Sequence, residues 1–474
     1  KRSRVLFLAG LCLALAGSAS AQRQQQRHEL APPIVEPATA EMMNPQFWIS
    51  RISNPDRVIM TPSQIDELNR KNRTRPYELK DVNGAPFTFL PTIVYKDSTL
   101  GLQFHITDPL TLKSFPADSL RKRLIRHRNS FNLANLYDRR QVKFDEGQIR
   151  EIDDRINLKA VPTGAITPKY GILVMHTLNR ALPTNESVSW GPGGWLDSSQ
   201  STALDMAMPV AVLHGSPNGD WLYVRSELAF GWIPAVNVAY GSPKSIGDYV
   251  AAKDFIVSIA HTVPVYADQA CTTFLTDLYL GARLKLMKKT AAGYQVQIPV
   301  RKYDGSVEFA PAWVKPDAKV SVGYQAYTQR NVLNTIFGLL YRPYGWADEH
   351  CERDCCGTQR SVFRTFGLFM GRWTTMELHS SDHVYAFPKG TPKEVKYKYL
   401  DSCEPAITLV GDPGHVSMYL GKVDGNYYVI HQTGYLYTDK EGIRRLVGRV
   451  NVNDMELEGG SNINQFSEIT QIKP

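Results

Sequence analysis

The residues of this chain best suited to covalent chemistry are one cysteine, Cys355, and two histidines, His415 and His431. Arg353-Asp354-Cys355-Cys356-Gly357-Thr358 leads into Val362, Phe363 and Phe366, the pattern of an amphipathic helix, with Gly367 where a left-handed residue commonly stops one. Cys355 then sits at the amino end of that helix, where partial positive charge favours thiolate over thiol. A thiolate nucleophile also needs an imidazole to relay the proton and a third group to orient that imidazole. His415 and His431 are the candidates for those two tasks.

Both histidines lie in β-rich runs, Gly414-His415-Val416-Ser417-Met418-Tyr419-Leu420-Gly421 and Tyr428-Val429-Ile430-His431, on either side of Val423-Asp424-Gly425. This reads as a hairpin. Its register is a strict requirement, because a slip of one residue turns every side chain to the other face of the sheet. A two-residue Asp424-Gly425 loop alone opposes Met418 to His431 and separates the histidines. A three-residue loop over Val423, Asp424 and Gly425, or an equivalent bulge, opposes Ser417 to His431 and makes His415 a same-face diagonal neighbour. The reading therefore requires the odd-length loop or the bulge.

The elements around this centre follow from the rest of the 474 residues, a length that predicts roughly two to four domains. A hydrophobic share of 43% excludes a mostly disordered chain, and 34 Gly without a repeat excludes a collagen-like one. The net charge of +8 is a modest excess spread along the whole length, and no feature points to nucleic acid. Lys1, Arg2 and Arg4 precede an apolar run over residues 5–16, and Ala19-Ser20-Ala21 follows it, the layout of a secretory signal peptide over 1–21. That run is shorter than the roughly 20 residues needed to cross a bilayer. No later segment is apolar enough to span, so the mature chain is expected to be exported, periplasmic or secreted. Beyond Cys12, five cysteines remain: Cys271, Cys351, Cys355, Cys356 and Cys403. An odd number leaves at least one thiol unpaired within the chain.

Residues 22–165 carry scattered helical signals. They include a capping box at Thr61-Pro62-Ser63-Gln64 ahead of Ile65 and Leu68, and a basic amphipathic pattern at Leu120, Leu124 and Ile125 that reads as a solvated outer face. From 166 to 325 the texture becomes short β-like runs punctuated by turns such as Asn218-Gly219-Asp220 and Tyr303-Asp304-Gly305, with room for two small antiparallel barrels, 166–245 and 246–325. Helix returns at Thr328, an N-cap ahead of Val332, Leu333, Ile336, Phe337 and Leu340, and opens a last domain, 326–474.

Four segments together resemble the NlpC-type cell-wall peptidases, which are papain-like cysteine enzymes: Tyr344-Gly345-Trp346, Asp354-Cys355-Cys356-Gly357, Gly414-His415-Val416 with Tyr419-Leu420-Gly421, and His431. The resemblance is specific across about 330–435. The preceding segments Asp220-Trp221-Leu222-Tyr223-Val224-Arg225 with Gly231-Trp232-Ile233, and Val263-Pro264-Val265-Tyr266 with Gly281, resemble bacterial SH3-like modules. The resemblance implies an α+β multidomain chain: a mainly helical N-terminal stabilising region, two SH3-like barrels and a papain-like α+β peptidase domain. It implies a γ-D-glutamyl-diamino-acid endopeptidase acting on peptidoglycan stem peptides or muropeptides, with Cys355 as nucleophile, His415 as general base and acid, and His431 orienting His415. Tyr344, Asp354 and Cys356 line the substrate site on this reading, and Glu227 and Tyr223 of the first module contact the free amino end of the peptide. No metal or organic cofactor is needed.

Three departures from the family pattern bear on specificity. Cys356 stands where the family has Ser, Ala347 where it has a second Gly, and Gly371-Arg372-Trp373-Thr374 where many relatives have Pro-Arg-Asp-Ser. Rival readings are a zinc site built from Cys351, Cys355, Cys356, Cys403 and His350, a Cys351–Cys403 disulfide, and a strained vicinal disulfide between Cys355 and Cys356. The rival functions are a non-catalytic peptidoglycan-binding protein and an N-acetylmuramoyl-L-alanine amidase.

Overall fold

The computed structural model describes residues 29–74, 88–89, 93–94, 108–194, 196–457 and 461–474. The leader-like segment lies outside the described residues. Among the described residues no helix is long and apolar enough to cross a membrane. The architecture is a mixed α+β arrangement of several antiparallel sheets with helices packed between and against them.

The last unit is a six-stranded antiparallel sheet in the order His383–Ala386, Glu468–Gln471, Thr408–Asp412, His415–Val423, Asn426–Thr433, Arg449–Asp454. The helices Gln329–Phe337 and Cys355–Arg364 share one apolar core with it. The Thr328 side chain accepts the Asn331 N–H at 3.2 Å, which caps the first of these helices. Val332, Leu333 and Ile336 then face the core, as their spacing predicts. The Cys355–Arg364 helix packs against the two central strands, His415–Val423 and Asn426–Thr433. It stops at Arg364, and Gly367 follows in the left-handed region at φ +81°.

Two seven-stranded antiparallel sheets precede this unit. The first is built from strands within 169–240 and the second from strands within 255–322. In the first, Trp221–Arg225 pairs with Phe230–Pro234 so that Tyr223 opposes Trp232. In the second, Gly293–Arg301 pairs with Val307–Val314 through the expected Tyr303-Asp304-Gly305 turn, with Gly305 at φ +85°.

The described residues of the stretch 22–165 do not gather around one core of their own. Trp48, Ile49, Met60, Ile65 and Leu68 join the core of the last unit. Leu120, Leu124, Phe131 and Ile152 instead pack with Tyr223 and Trp232 of the first sheet. The capping box at Thr61 forms in both directions, with Gln64 Oε1 accepting from Thr61 N at 2.9 Å and Thr61 Oγ1 accepting from Gln64 N at 3.4 Å. Ile125 departs from the amphipathic reading of its helix and is exposed, leaving Leu120 and Leu124 to hold Ala117–Asn129 in place.

Both β units reach the Cys355 helix. Gly281 of the second sheet, at φ +78°, lies where a Cβ would come within 2.7 Å of the Ser361 carbonyl oxygen on that helix. Gly219 in the first sheet has nearly the same backbone, φ +77°, but open space around it. Gly219→Ala should cost only the left-handed backbone penalty, about 1 kcal/mol, whereas Gly281→Ala should add an overpacking cost of about 1–3 kcal/mol. Urea-denaturation midpoints of the two variants compare these costs directly. Equal losses would mean that the second sheet does not press on the helix.

Candidate active site

The helix opens on Asp354. Its Oδ1 accepts the Gly357 N–H at 2.7 Å, an N-cap bond, and its Oδ2 pairs with Arg372 Nη2 at 2.5 Å. Arg372 also donates from Nε to the Ser201 carbonyl of the first sheet at 3.0 Å. Burial pushes the Asp354 carboxyl up, against the pull of Arg372. Asp348 lies directly over the same turn: a Cβ on Gly357 would fall 1.8 Å from Asp348 Oδ1, so only glycine fits there. Asp348 pairs with Arg360 at 2.6 Å and accepts the Thr202 hydroxyl at 3.1 Å. Burial acts to raise the Asp348 carboxyl, but Arg360 and then Arg372 outweigh it and hold it at about 2.

The aromatic segment supplies this arrangement through strained backbone. Ala347, Asp348, His350 and Cys351 all have φ between +49° and +67°, a conformation costing a non-glycine residue about 1–2 kcal/mol. Ala347 thus takes the shape that suits the glycine of the family pattern. Gln200 of the first sheet donates to the Ala347 carbonyl at 3.2 Å, and buried Glu349, raised to about 8 by burial and then by Asp197, stays a neutral acid.

Cys355 is 8% exposed and Cys356 is 4% exposed. Their sulfurs lie 3.9 Å apart as free thiols, so the vicinal disulfide is not formed. Cys356 Sγ contacts Thr374 Oγ1 at 3.2 Å. The hydrogen bond to Cys355, and then burial, push the Cys356 thiol well above its ordinary value and keep it protonated. Cys351 and Cys403 are also free thiols, which removes that disulfide. The four-cysteine zinc reading fails on placement. Among the described residues, the ligand group that forms around the pair contains Asp354, Cys355 and Cys356, without Cys351, Cys403 or His350.

The hairpin solves its register with the bulge rather than the longer loop. Asp424 and Gly425, at φ +50° and +86°, make a two-residue turn of the twisted hairpin type, and Val423 opposes Asn426. The ladder then shifts between Tyr419 and Gly421, leaving Leu420 without a partner, and Met418 opposes Ile430. Continuing that register sets Ser417 opposite His431 and His415 diagonal to it. His415 Nε2 meets His431 Nδ1 at 2.7 Å, and His431 Nε2 meets Asn453 Oδ1 at 2.8 Å. With Asn453 presenting its oxygen, His431 Nε2–H donates to it and His431 Nδ1 accepts from His415 Nε2–H. This leaves His415 Nδ1 as an unprotonated base.

Asn453 went unremarked in the sequence. Its signal was the alternation Val450-Asn451-Val452-Asn453, two amides on one face of a buried strand. Tyr435 is the second residue missed. Its ring stands edge-on to His415 at 5.5 Å, and after burial the charge of Cys355 is the largest influence raising its phenol. Tyr344 is part of the same neighbourhood: burial, then Asp354 and Cys355, push its phenol well up.

The two residues assigned to the first module are placed elsewhere. Tyr223 is fully buried, its ring 5.3 Å from Trp232 and 6.0 Å from His127, and it faces the helices of the N-terminal region. Glu227 lines a cavity of about 330 Å³ together with Arg364, which lies at the far end of the Cys355 helix. Both faces of Trp221–Arg225 are buried, and the one that carries Tyr223 packs with the helices of the N-terminal region. The first sheet approaches the cysteine instead through Gln200, Ser201 and Thr202.

Residues 191–234 match the family model described as SH3 domain (SH3b1 type). No curated protein matches the sequence. Among solved structures, the chain is similar to an NlpC/P60 endopeptidase from Photobacterium damselae subsp. piscicida, at 17% identity and a TM-score of 0.71, over 94% of this chain and 99% of that one. An NlpC/P60 family protein from Bacillus cereus ATCC 10987 aligns at 16% identity and a TM-score of 0.47, over 64% of this chain and 100% of that one. The chain therefore has the fold of an NlpC/P60 endopeptidase and carries an SH3-type domain within its first sheet.

Burial depresses both imidazoles: His415 well below its ordinary value, with the charge of His431 adding to the effect, and His431 to about 4 against the lift of Asn453. Unfolded imidazoles protonate near 6.5, so the unfolded chain binds more protons between there and about 4. The stability from keeping His431 neutral is complete above that upper value and is lost as the pH falls, by about 3 kcal/mol in all. His431→Gln cannot titrate. Its stability deficit relative to the natural chain, followed by urea denaturation from pH 7.5 to 4.5, should hold down to about 6.5 and shrink below it, and a deficit constant throughout would contradict the neutral imidazole pair.

Proposed function

We propose that the protein is an exported cell-wall cysteine endopeptidase that cleaves the γ-D-glutamyl–diaminopimelate bond of peptidoglycan stem peptides, preferring stems with a free N-terminal L-Ala. The observation that carries this reading is the bonded series His415–His431–Asn453 on strands against which the helix opened by Cys355 packs. That series supplies an oriented base, and the helix start supplies a sulfur nucleophile and backbone N–H groups.

Cys355 sulfur attacks the γ-glutamyl carbonyl carbon, and the backbone N–H groups at the helix start stabilise the oxyanion. His415 takes the thiol proton and delivers it to the leaving amine of the diamino acid, giving an acyl-enzyme. Water enters, His415 removes its proton, and hydrolysis returns the free sulfur and the dipeptide acid. His431 fixes the His415 ring, and Asn453 fixes His431. Tyr344, Asp354 and Cys356 line the substrate site, with Asp354 also capping the helix and Arg372 holding Asp354. The two β units, 166–245 and 246–325, serve as SH3-like modules. The first narrows the cleft through its Gln200–Leu204 strand, which confines activity to released stems. The fold shared with the Photobacterium endopeptidase and the SH3-type match support a peptidoglycan substrate.

The test is product mass. Reduced protein given L-Ala-γ-D-Glu-diaminopimelate should release the dipeptide L-Ala-D-Glu and free diaminopimelate, and Cys355→Ala should lower the rate at least a thousandfold. Intact cross-linked wall should be a poor substrate. Release of whole stem peptide from glycan would establish the amidase instead, and saturable binding of muropeptides without product would establish a binding protein.

A further inference from the structure

The cysteine pair has a capacity that hydrolysis does not use. Two thiolates bound to one tetrahedral zinc at about 2.3 Å each stand about 3.8 Å apart. Cys355 and Cys356 sulfurs are already 3.9 Å apart. The Asp354 carboxylate lies with them, all three ligand atoms within 4.8 Å of one another and all three residues buried. Thr374 holds Cys356 Sγ in this orientation at 3.2 Å.

A second, independent feature marks the same spot. Glu377 is fully buried, and neither of its carboxyl oxygens has a hydrogen-bond partner. It lies one turn beyond Thr374, whose hydroxyl meets the Cys356 sulfur at 3.2 Å, in the short helix Thr374–Leu378. The helix start therefore collects two thiols and two acids, Asp354 and Glu377, while Arg360 is committed to Asp348 and Arg372 to Asp354. The two thiols, with the carboxyl oxygens of Asp354 and Glu377, are a donor set that suits a thiophilic dication.

We propose that Cys355 and Cys356 chelate a thiophilic divalent cation of the zinc class, with Asp354 as third ligand and the unpartnered carboxyl of Glu377 beside them. Binding forms two metal–sulfur bonds and sends two S–H protons to bulk water, with no change of oxidation state. Asp354 contributes an oxygen lone pair, and water takes the remaining coordination position. Cys356 is the residue that makes the site, because a serine hydroxyl at that position is a poor ligand for a soft metal. The metal occupies the sulfur that would attack substrate, so the bound state is a reversible off state. That consequence rests on the function proposed above, whereas the binding itself does not.

Cobalt(II) is the probe, added to the reduced full chain. One equivalent should bind with an intense near-ultraviolet thiolate-to-cobalt absorption, and zinc should displace it. Cys355→Ser and Cys356→Ser should each lose the band and weaken binding at least tenfold, while Cys351→Ser and Cys403→Ser keep both. On the unmutated chain, zinc should protect Cys355 and Cys356, and not Cys351, from maleimide labelling. Absence of the band, its survival in Cys356→Ser, its loss in Cys351→Ser, or labelling unaffected by zinc would each overturn the site. Tripeptide hydrolysis separates the two readings. Activity blocked by zinc and restored by EDTA supports the off state, and activity unchanged while cobalt is bound overturns it. A cobalt band on a protein that cleaves nothing leaves the metal site standing and removes the proposed function.

Discussion

One unpaired residue in a strand decides whether the two imidazoles can meet. The Asp424-Gly425 turn by itself sets a register in which His415 and His431 project from opposite faces, and the irregularity at Leu420 and Gly421 corrects it by one position. Gly421, at φ +130°, adopts a backbone that few other residues tolerate, which is how the bulge is built into the sequence. Every later step in the site inherits this correction: the 2.7 Å imidazole contact, the tautomer that Asn453 imposes, and the base left at His415 Nδ1.

The helix that carries Cys355 is held with comparable stringency by charge. Asp354 and Asp348 both sit over its first turn, and each is paired with a buried arginine, Arg372 and Arg360. Removing one partner of such a pair strands the other in a poorly solvated place at a cost of about 3–5 kcal/mol. The pairs are also how the separate parts of the chain address the site. Arg372 and Asp348 bond to Ser201 and Thr202 of the first sheet, and Arg353 bonds at 2.9 Å to His261 of the second. The β units thus brace the turn from which the nucleophile is presented.

Much of this was legible in the sequence because it depends on local signals. The capping box at Thr61, the N-cap at Thr328, the Asp354 helix start and the Asp-Gly turn each need only a few neighbouring residues to specify them. The hairpin register was legible as a requirement, since only one parity brings the histidines together, but not as the particular bulge that meets it. What sequence could not supply were relations between distant segments. The described N-terminal residues divide among several cores because Val35, Trp48 and Leu120 find different apolar surfaces. The resemblance to SH3-like modules assigns Tyr223 to the substrate, yet the face of its strand that carries it is covered by helices from another part of the chain. Asn453 and Tyr435 entered the site through pairing across strands and a loop return, which no short motif encodes.

The central claim is that Cys355 and His415 act as one chemical unit, and the alkylation rate of Cys355 measures this most directly. Iodoacetamide modification of the reduced full chain, followed at Cys355 by peptide mass analysis near neutral pH, should be at least tenfold faster than at the exposed Cys351 and should slow at least tenfold in His415→Ala. A Cys355 that reacts no faster than Cys351, at a rate indifferent to His415, would contradict the account.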